Sequence, residues 1–292
     1  MAELLEVPVS WQQLPIAGWN GVVLVLGAPD SGKSTLARYL YSRLCAAGRR
    51  ALFLDGDPGQ STLGPPTTLT LASGLPGDPA FPPAGPCWRR FVGATSPRGH
   101  MLSLLVGAAR LVEQARTAGA DAIVYDTSGL VDPAQGGVNL KWAKIELLRP
   151  AAVIAIQRDQ ELEPLLVPLR RLLGGRLVEL RPAAAVQPRD PVARRAHRAA
   201  QFARYFASAR PQVLDLKRVA VLPGPGFAFN QLVGLEDATG SLVALGIVRR
   251  ADLHRGEVTL LAPHYAAAEV VALRAGDLTV DPVTYQDQVL AR

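Results

Sequence analysis

Eight consecutive residues, Gly27-Ala28-Pro29-Asp30-Ser31-Gly32-Lys33-Ser34, spell the pattern G-x-x-x-x-G-K-S. Its glycines let the backbone turn N–H groups inward, where they can hold phosphate oxygens. The pattern follows the apolar run Val22–Leu26 and precedes the helical stretch Leu36–Ala47, which is the setting a phosphate loop needs. Asp30, Ser31 and Thr35 complete the cradle. Lys33 is expected at the β- and γ-phosphates, and the Ser34 hydroxyl on Mg2+. The helix start adds its dipole. Together these residues predict binding of a nucleoside triphosphate with magnesium.

Such a loop needs an acid at the end of a neighbouring strand to hold the metal or its waters. One candidate is Asp126, after the run Ala122–Tyr125. Another is the segment Asp55-Gly56-Asp57-Pro58-Gly59-Gln60, after the run Ala51–Leu54. Strand C-termini are where open α/β sheets bind ligands. Each carboxylate could instead cap its own turn. In the functional reading, Ser34, Asp57 and Asp126 serve the metal and Asp57 accepts a proton from a hydroxyl substrate. Asp55 orients its neighbours and Gln60 orients water or phosphate.

The elements that must position these groups follow from the apolar pattern. Val22–Leu26, Ala51–Leu54, Ala122–Tyr125, Ala152–Ile156 and Arg176–Leu180 read as buried strands. Leu36–Ala47, His100–Thr117, Val138–Leu148, Asp159–Leu173 and Pro188–Phe206 read as helices between them. That alternation predicts an α/β fold with a mostly parallel sheet flanked by helices. Ser73–Pro86 is Pro- and Gly-rich and reads as a loop. After Pro211 come short β-like runs: Val213–Leu216, Gly226–Phe229, Leu232–Leu235, Leu242–Val248, Val258–Leu261 and Val270–Leu273. The expected division is therefore 1–210, carrying the phosphate loop, and 211–292, a small all-β domain.

Composition narrows the classes further. The chain has 292 residues, 49% hydrophobic and 19% charged, which excludes a disordered chain. Cys45 and Cys87 lie far apart, in neither a disulfide framework nor a metal spacing. No apolar run is long enough for a bilayer, and Met1–Pro15 lacks the basic start of a signal peptide. A cytoplasmic protein with no membrane partner is expected. Lys and Arg outnumber Asp and Glu by 31 to 25. That balance favours polyanionic partners, and Arg forks suit phosphate.

The segments GAPDSGKST, DGDPGQST, GATSPRGH and YDTSGLV, taken together, resemble the P-loop polynucleotide 5'-hydroxyl kinases. These include the kinase of the eukaryotic pre-mRNA cleavage complex and that of ribosomal RNA processing. The resemblance covers about residues 20–206. It implies a P-loop NTPase fold and transfer of the γ-phosphate of ATP, with Mg2+, to the 5'-hydroxyl of RNA or DNA. It implies a clasp on the acceptor end at Thr95, Ser96 and His100, with Gln60 beside it. It implies a Walker B segment at Asp126-Thr127-Ser128-Gly129 and a lid carrying Arg189, Arg194 and Arg198, closed by Tyr205-Phe206. Arg194 and Arg198 are four apart and share a helix face, so both can meet charge developing on a phosphate. One position departs from the family: Leu130 stands where a base-stacking Trp is usual. Stacking on an aromatic is worth about 1–3 kcal/mol per base.

Lys141 and Lys144 lie three residues apart on the helix after Walker B, where they could face nucleic acid or water. Protein partners are unknown at this level. Two other readings stay open. A non-catalytic ATP-binding scaffold of an RNA-processing complex would bind ATP without turnover. A P-loop switch ATPase would hydrolyse it without a nucleic-acid acceptor.

Overall fold

The computed structural model describes residues 7–75, 77–183, 190–224 and 226–290. The chain enters through a short helix α1 (Val9–Gln12), then β1 (Gly21–Gly27), α2 (Lys33–Ala46) and β2 (Ala51–Gly56). There follow β3 (Thr68–Ser73), β4 (Cys87–Phe91), α3 (Met101–Thr117), β5 (Ala122–Thr127) and α4 (Gly137–Leu148). Next are β6 (Ala152–Ile156), α5 (Glu163–Leu173), β7 (Leu177–Leu180) and α6 (Pro191–Tyr205). After α6 come the strands β8 (Arg210–Asp215), β9 (Ala220–Leu222), β10 (Gln231–Glu236), β11 (Leu242–Asp252), β12 (Glu257–Ala262), β13 (Ala272–Val280) and β14 (Asp287–Val289).

These elements sort into two compact units that the chain visits alternately. The first holds the segments up to Leu54, Leu71–Pro86 and Val112–Pro188; the second holds Asp55–Thr70, Cys87–Leu111 and everything from Arg189. The sequence division at residue 210 follows a change in texture, whereas the units exchange the chain earlier, inside β2, β3 and α3.

In the first unit the strand order is β3-β2-β5-β1-β6-β7. β1 pairs in parallel with β5 and β6, and β6 with β7. Val22 to Leu26 are all buried, as a strand covered on both faces must be. α2 packs on β1 and β5, α4 on β1, and α5 on β7. α2 ends where Gly48 adopts a positive φ of 74° and its N–H bonds the Cys45 carbonyl.

The second unit contains a sheet in the order β14-β13-β10-β11-β12-β8, with β9 on the side of β13. All of its pairings are antiparallel except β13 with β9. Phe91, Phe202, Phe206, Leu232, Leu245, Ile247, Leu278 and Val280 form one buried cluster there. The expected α/β architecture with a β-rich C-terminal part is what the chain adopts.

Some elements differ from the sequence expectation. The apolar pattern does not predict β3, β4, β9 or β14. No strand forms at Gly226–Phe229; Phe229 is 64% exposed and Asn230 takes a φ of +61°, turning the chain into β10. The expected helix Asp159–Leu173 begins only at Glu163, because the Glu161 carboxylate holds the Arg158 and Asp159 N–H groups in a turn.

Candidate functional site

The phosphate loop joins β1 to α2 in the first unit. A Cβ on Gly27 would collide with Ser31 Oγ and lie 2.9 Å from the Ile156 carbonyl oxygen, so only glycine permits this wrap. Gly32 caps α2 with a φ of +89°, a conformation other residues resist. The first N–H groups of α2 have no intrahelical partner and are natural phosphate donors. Ser34 and Thr35, half-buried, occupy that first turn. Lys33 is 6% exposed, and its Nζ donates to the Ala28 carbonyl at 2.6 Å, folding the side chain back over the loop. Asp30 has a φ of +52°, and its carbonyl accepts from Arg158 Nη2 at 3.2 Å.

Asp126, one residue before the end of β5, lies in register with Val25 and is buried. Next to it, the Thr127 hydroxyl donates to the Val25 carbonyl at 2.8 Å and accepts from Lys141 Nζ at 2.9 Å. Lys141 Nζ also donates to the Ser128 carbonyl. Lys144 Nζ sits 4.7 Å from the centre of the Tyr125 ring. Both lysines are fully buried. The expected alternatives, a nucleic-acid face or a solvated face, therefore give way to a third: the amines brace the Walker B strand from within. Gly129 lies against the loop, since a Cβ there would be 2.8 Å from Pro29 N. Leu130 follows, half-buried.

Two observations test the fit to a magnesium nucleotide. The buried hydroxyls of Ser31 and Ser128 have no hydrogen-bond partner among the described residues. The oxygens present, a helix-start hydroxyl and a strand-end carboxylate, are the hard ligands Mg2+ prefers. No group of three or more His, Cys, Asp and Glu side chains is arranged for a metal among the described residues. A metal shared with phosphate oxygens and water needs none.

The second unit gathers the other candidates. Asp55 is buried, and its carboxylate accepts from Ser61 Oγ at 2.9 Å, Thr62 N at 2.6 Å and Leu63 N at 2.9 Å. Burial raises its pKa above the usual carboxylate range, against the lowering pull of those bonds. Asp55 is thus the staple of the 55–63 loop, the orienting role the sequence left open. Asp57 Oδ1 accepts the N–H groups of Gly59 at 2.9 Å and Gln60 at 3.0 Å. Those bonds cap its own turn and leave Oδ2 for another partner. A Cβ on Gly59 would strike the Thr95 carbonyl, so glycine lets the clasp segment press onto the Asp57 turn. Ser96 Oγ accepts the Arg98 N–H at 3.3 Å, and His100 N donates to the Pro97 carbonyl at 3.0 Å, closing the clasp into α3.

Helix α6 lies on the same loop. Asp190 starts it, its side chain accepting the Ala193 N–H at 2.6 Å. Gln60 Nε2 reaches the Arg194 carbonyl at 3.4 Å. His197 Nε2 and Gln201 Nε2 both donate to the Ser61 carbonyl, at 2.9 and 3.2 Å. Arg198 Nε bonds Asp287 Oδ1 at 2.8 Å. Tyr205 accepts the Leu245 N–H through its hydroxyl at 2.9 Å. Arg194 is half-buried, and Arg195 points to solvent. Arg189 lies outside the described residues. The second unit therefore brings Asp57, Gln60, Thr95, Arg194 and Arg198 into one neighbourhood. His197 and Gln201 were missed, although they share the Arg194 and Arg198 face at helical spacing.

A family model described as the mRNA cleavage and polyadenylation factor CLP1 P-loop matches residues 27–208, a span running from the phosphate loop past the end of α6. The chain belongs to this family. Among curated proteins, the chain is similar to the polyribonucleotide 5'-hydroxyl-kinase of Pyrococcus horikoshii, 29% identical over 68% of this chain and 53% of that protein. The enzyme of the same name from Thermococcus kodakarensis is 32% identical over 70% of this chain and 58% of its own length. This chain thus spans about half the length of the curated relatives it matches. Among solved structures, the wild-type Clp1p–Pcf11p complex contains a chain with TM-score 0.68 and 13% identity. The superposition covers 89% of this chain and 75% of that one, which shows the shared fold. These findings agree with the resemblance carried by the sequence motifs.

Proposed function

We propose that this chain is an ATP-dependent polynucleotide 5'-hydroxyl kinase with an RNA acceptor. The observation that carries the reading is the cluster in the second unit, where the Asp57 turn, the Thr95 clasp and the arginine helix share hydrogen bonds and contacts. A switch ATPase has no use for a base beside a clasp. The names of the archaeal relatives support a polyribonucleotide substrate.

In this reading the cradle of Gly27–Thr35 receives the triphosphate of ATP. Lys33 exchanges the Ala28 carbonyl for β- and γ-phosphate oxygens, and the phosphates satisfy the Ser31 hydroxyl. Ser34 and Asp126 would hold Mg2+ or its waters. When bound, the metal ion neutralises charge on the phosphate chain. Thr95, Ser96, Gln60 and His100 hold the 5' end of the acceptor. Asp57 Oδ2 accepts the proton of the 5'-hydroxyl as its oxygen forms a bond to the γ-phosphorus and the bond to ADP breaks. Arg194 and Arg198, with Arg189 as the motif implies, stabilise charge on the equatorial oxygens, an effect of about 10³–10⁵ in comparable phosphoryl transfers. Leu130 provides an apolar surface at the position where the resemblance implies a base-stacking aromatic.

Transfer of labelled γ-phosphate from ATP to a 5'-hydroxyl oligoribonucleotide, with an oligodeoxyribonucleotide alongside, tests the proposal. Asp57→Asn should lower kcat by about 10²–10⁴-fold while ATP binding persists. Tight ATP binding with no label transfer to either acceptor would overturn it and favour the scaffold.

A further inference from the structure

We infer that the β13–β14 hairpin is the positioning element of the acceptor machinery, with Asp287 aiming Arg198 and Asp277 aiming His100. The inference rests on the kinase reading and assigns a role to a segment with no motif of its own.

The ion pair between Arg198 and Asp287 is desolvated, the two side chains being 16% and 5% exposed. A free arginine side chain carries about 2 kcal/mol of rotamer entropy. A carboxylate on Nε fixes the plane of the guanidinium and leaves its two terminal nitrogens as a fork for a phosphate. The second contact has the same logic. His100 Nε2 lies 2.9 Å from Asp277 Oδ2, with the side chains 14% and 31% exposed. A carboxylate there makes Nε2 the protonated nitrogen and leaves Nδ1 to face a ligand. The root of the ring is already held, since the His100 carbonyl accepts the Leu104 N–H at 3.0 Å and caps α3.

The hairpin is itself well anchored, as a positioning element must be. Val280 and Asp287 face each other in the β13–β14 ladder, and β13 pairs with β10 along its other edge. Asp277 N donates to the Gly93 carbonyl at 2.8 Å. Leu278 and Val280 enter the cluster that buries Phe202 and Phe206 of the arginine helix. Tyr285, in the turn, stacks on Phe206 with centroids 6.3 Å apart and planes at 6°. One hairpin thus reaches the helix through Asp287 and Tyr285 and the clasp through Asp277.

Steady-state transfer to a 5'-hydroxyl oligoribonucleotide separates the two arms. Asp287→Asn should lower kcat by about tenfold or more while both KM values stay within about twofold. Asp287→Glu, which restores the charge one methylene away, should fall between wild type and Asn. Arg198→Lys combined with Asp287→Asn should be no slower than Arg198→Lys alone, since the two act as one unit. Asp277→Asn should raise the acceptor KM by about fivefold or more with kcat within about twofold. Unchanged or faster turnover in Asp287→Asn, or losses that multiply in the double variant, would overturn the Arg198 arm. An unchanged acceptor KM in Asp277→Asn would overturn the His100 arm. If Asp287→Asn fails to fold, Asp287→Glu decides: wild-type kcat refutes the role and an intermediate kcat supports it. No transfer by the wild-type protein would overturn the kinase reading and the inference together. Transfer by wild type and by an unaffected Asp287→Asn would overturn the inference alone.

Discussion

Lys141 shows what a single side chain decides in this molecule. Its amine is fully buried and donates to the Thr127 hydroxyl and the Ser128 carbonyl at the end of β5. Lys141→Met keeps the stem and removes the donor. Each acceptor left without a partner costs about 1–3 kcal/mol, so urea unfolding should show that loss of stability, and label transfer should fall as the Asp126 strand end loosens. Unchanged stability would show that the two oxygens find other donors. The functional groups around it were legible in sequence to different degrees. Gly27, Gly32, Lys33 and Ser34 stand out because phosphate chemistry dictates their spacing. Lys141 and Lys144 were not legible, because lysines three apart on an apolar helix give the same pattern whether they face water or the core. Asp287 and Asp277 lie far along the chain from Arg198 and His100 and carry no local signal.

At the scale of elements, β10 shows how a strand can be specified by what it lacks. A Cβ on Gly234 would sit 2.6 Å from Phe91 Cδ1 and 2.7 Å from Cγ, so the ring fills the place of a side chain. Phe91 is buried and cannot swing aside. Gly234→Ala should destabilise by about 1–3 kcal/mol through overpacking, and thermal unfolding should register it. Gly234→Ala with Phe91→Leu should regain part of that loss. Strand periodicity identified the long buried runs of the first unit, because parallel strands covered on both faces are apolar throughout. It missed β4, where Trp88, Arg89 and Arg90 interrupt the apolar pattern. Arg90 Nη1 instead donates to the Thr239 carbonyl at 2.6 Å, a long-range partner that sequence periodicity does not reveal. β9 and β14, three residues each, are too short to carry a period.

At the scale of the whole molecule, the change of texture near residue 210 does not mark the limit of what the arginine helix needs. Phe202 and Phe206 are buried against Leu232, Leu245, Ile247, Leu278 and Val280, all beyond that point. A chain stopped at Arg210 should keep nucleotide binding and lose protection of α6. Amide hydrogen exchange across Pro191–Tyr205 should then approach that of an unfolded segment, with label transfer abolished. Native protection of α6 in the shortened chain would contradict this account. The alternation of the units also has a consequence for a chain emerging from the ribosome. Every segment of the first unit has been translated by residue 188, while the second unit still awaits its last strands. Synthesis proceeds at about 5–20 residues per second, so the Asp57 turn and the Thr95 clasp spend seconds outside their final surroundings. A nascent chain thus holds every residue of its phosphate loop and Walker B segment before Asp277 and Asp287 have been made.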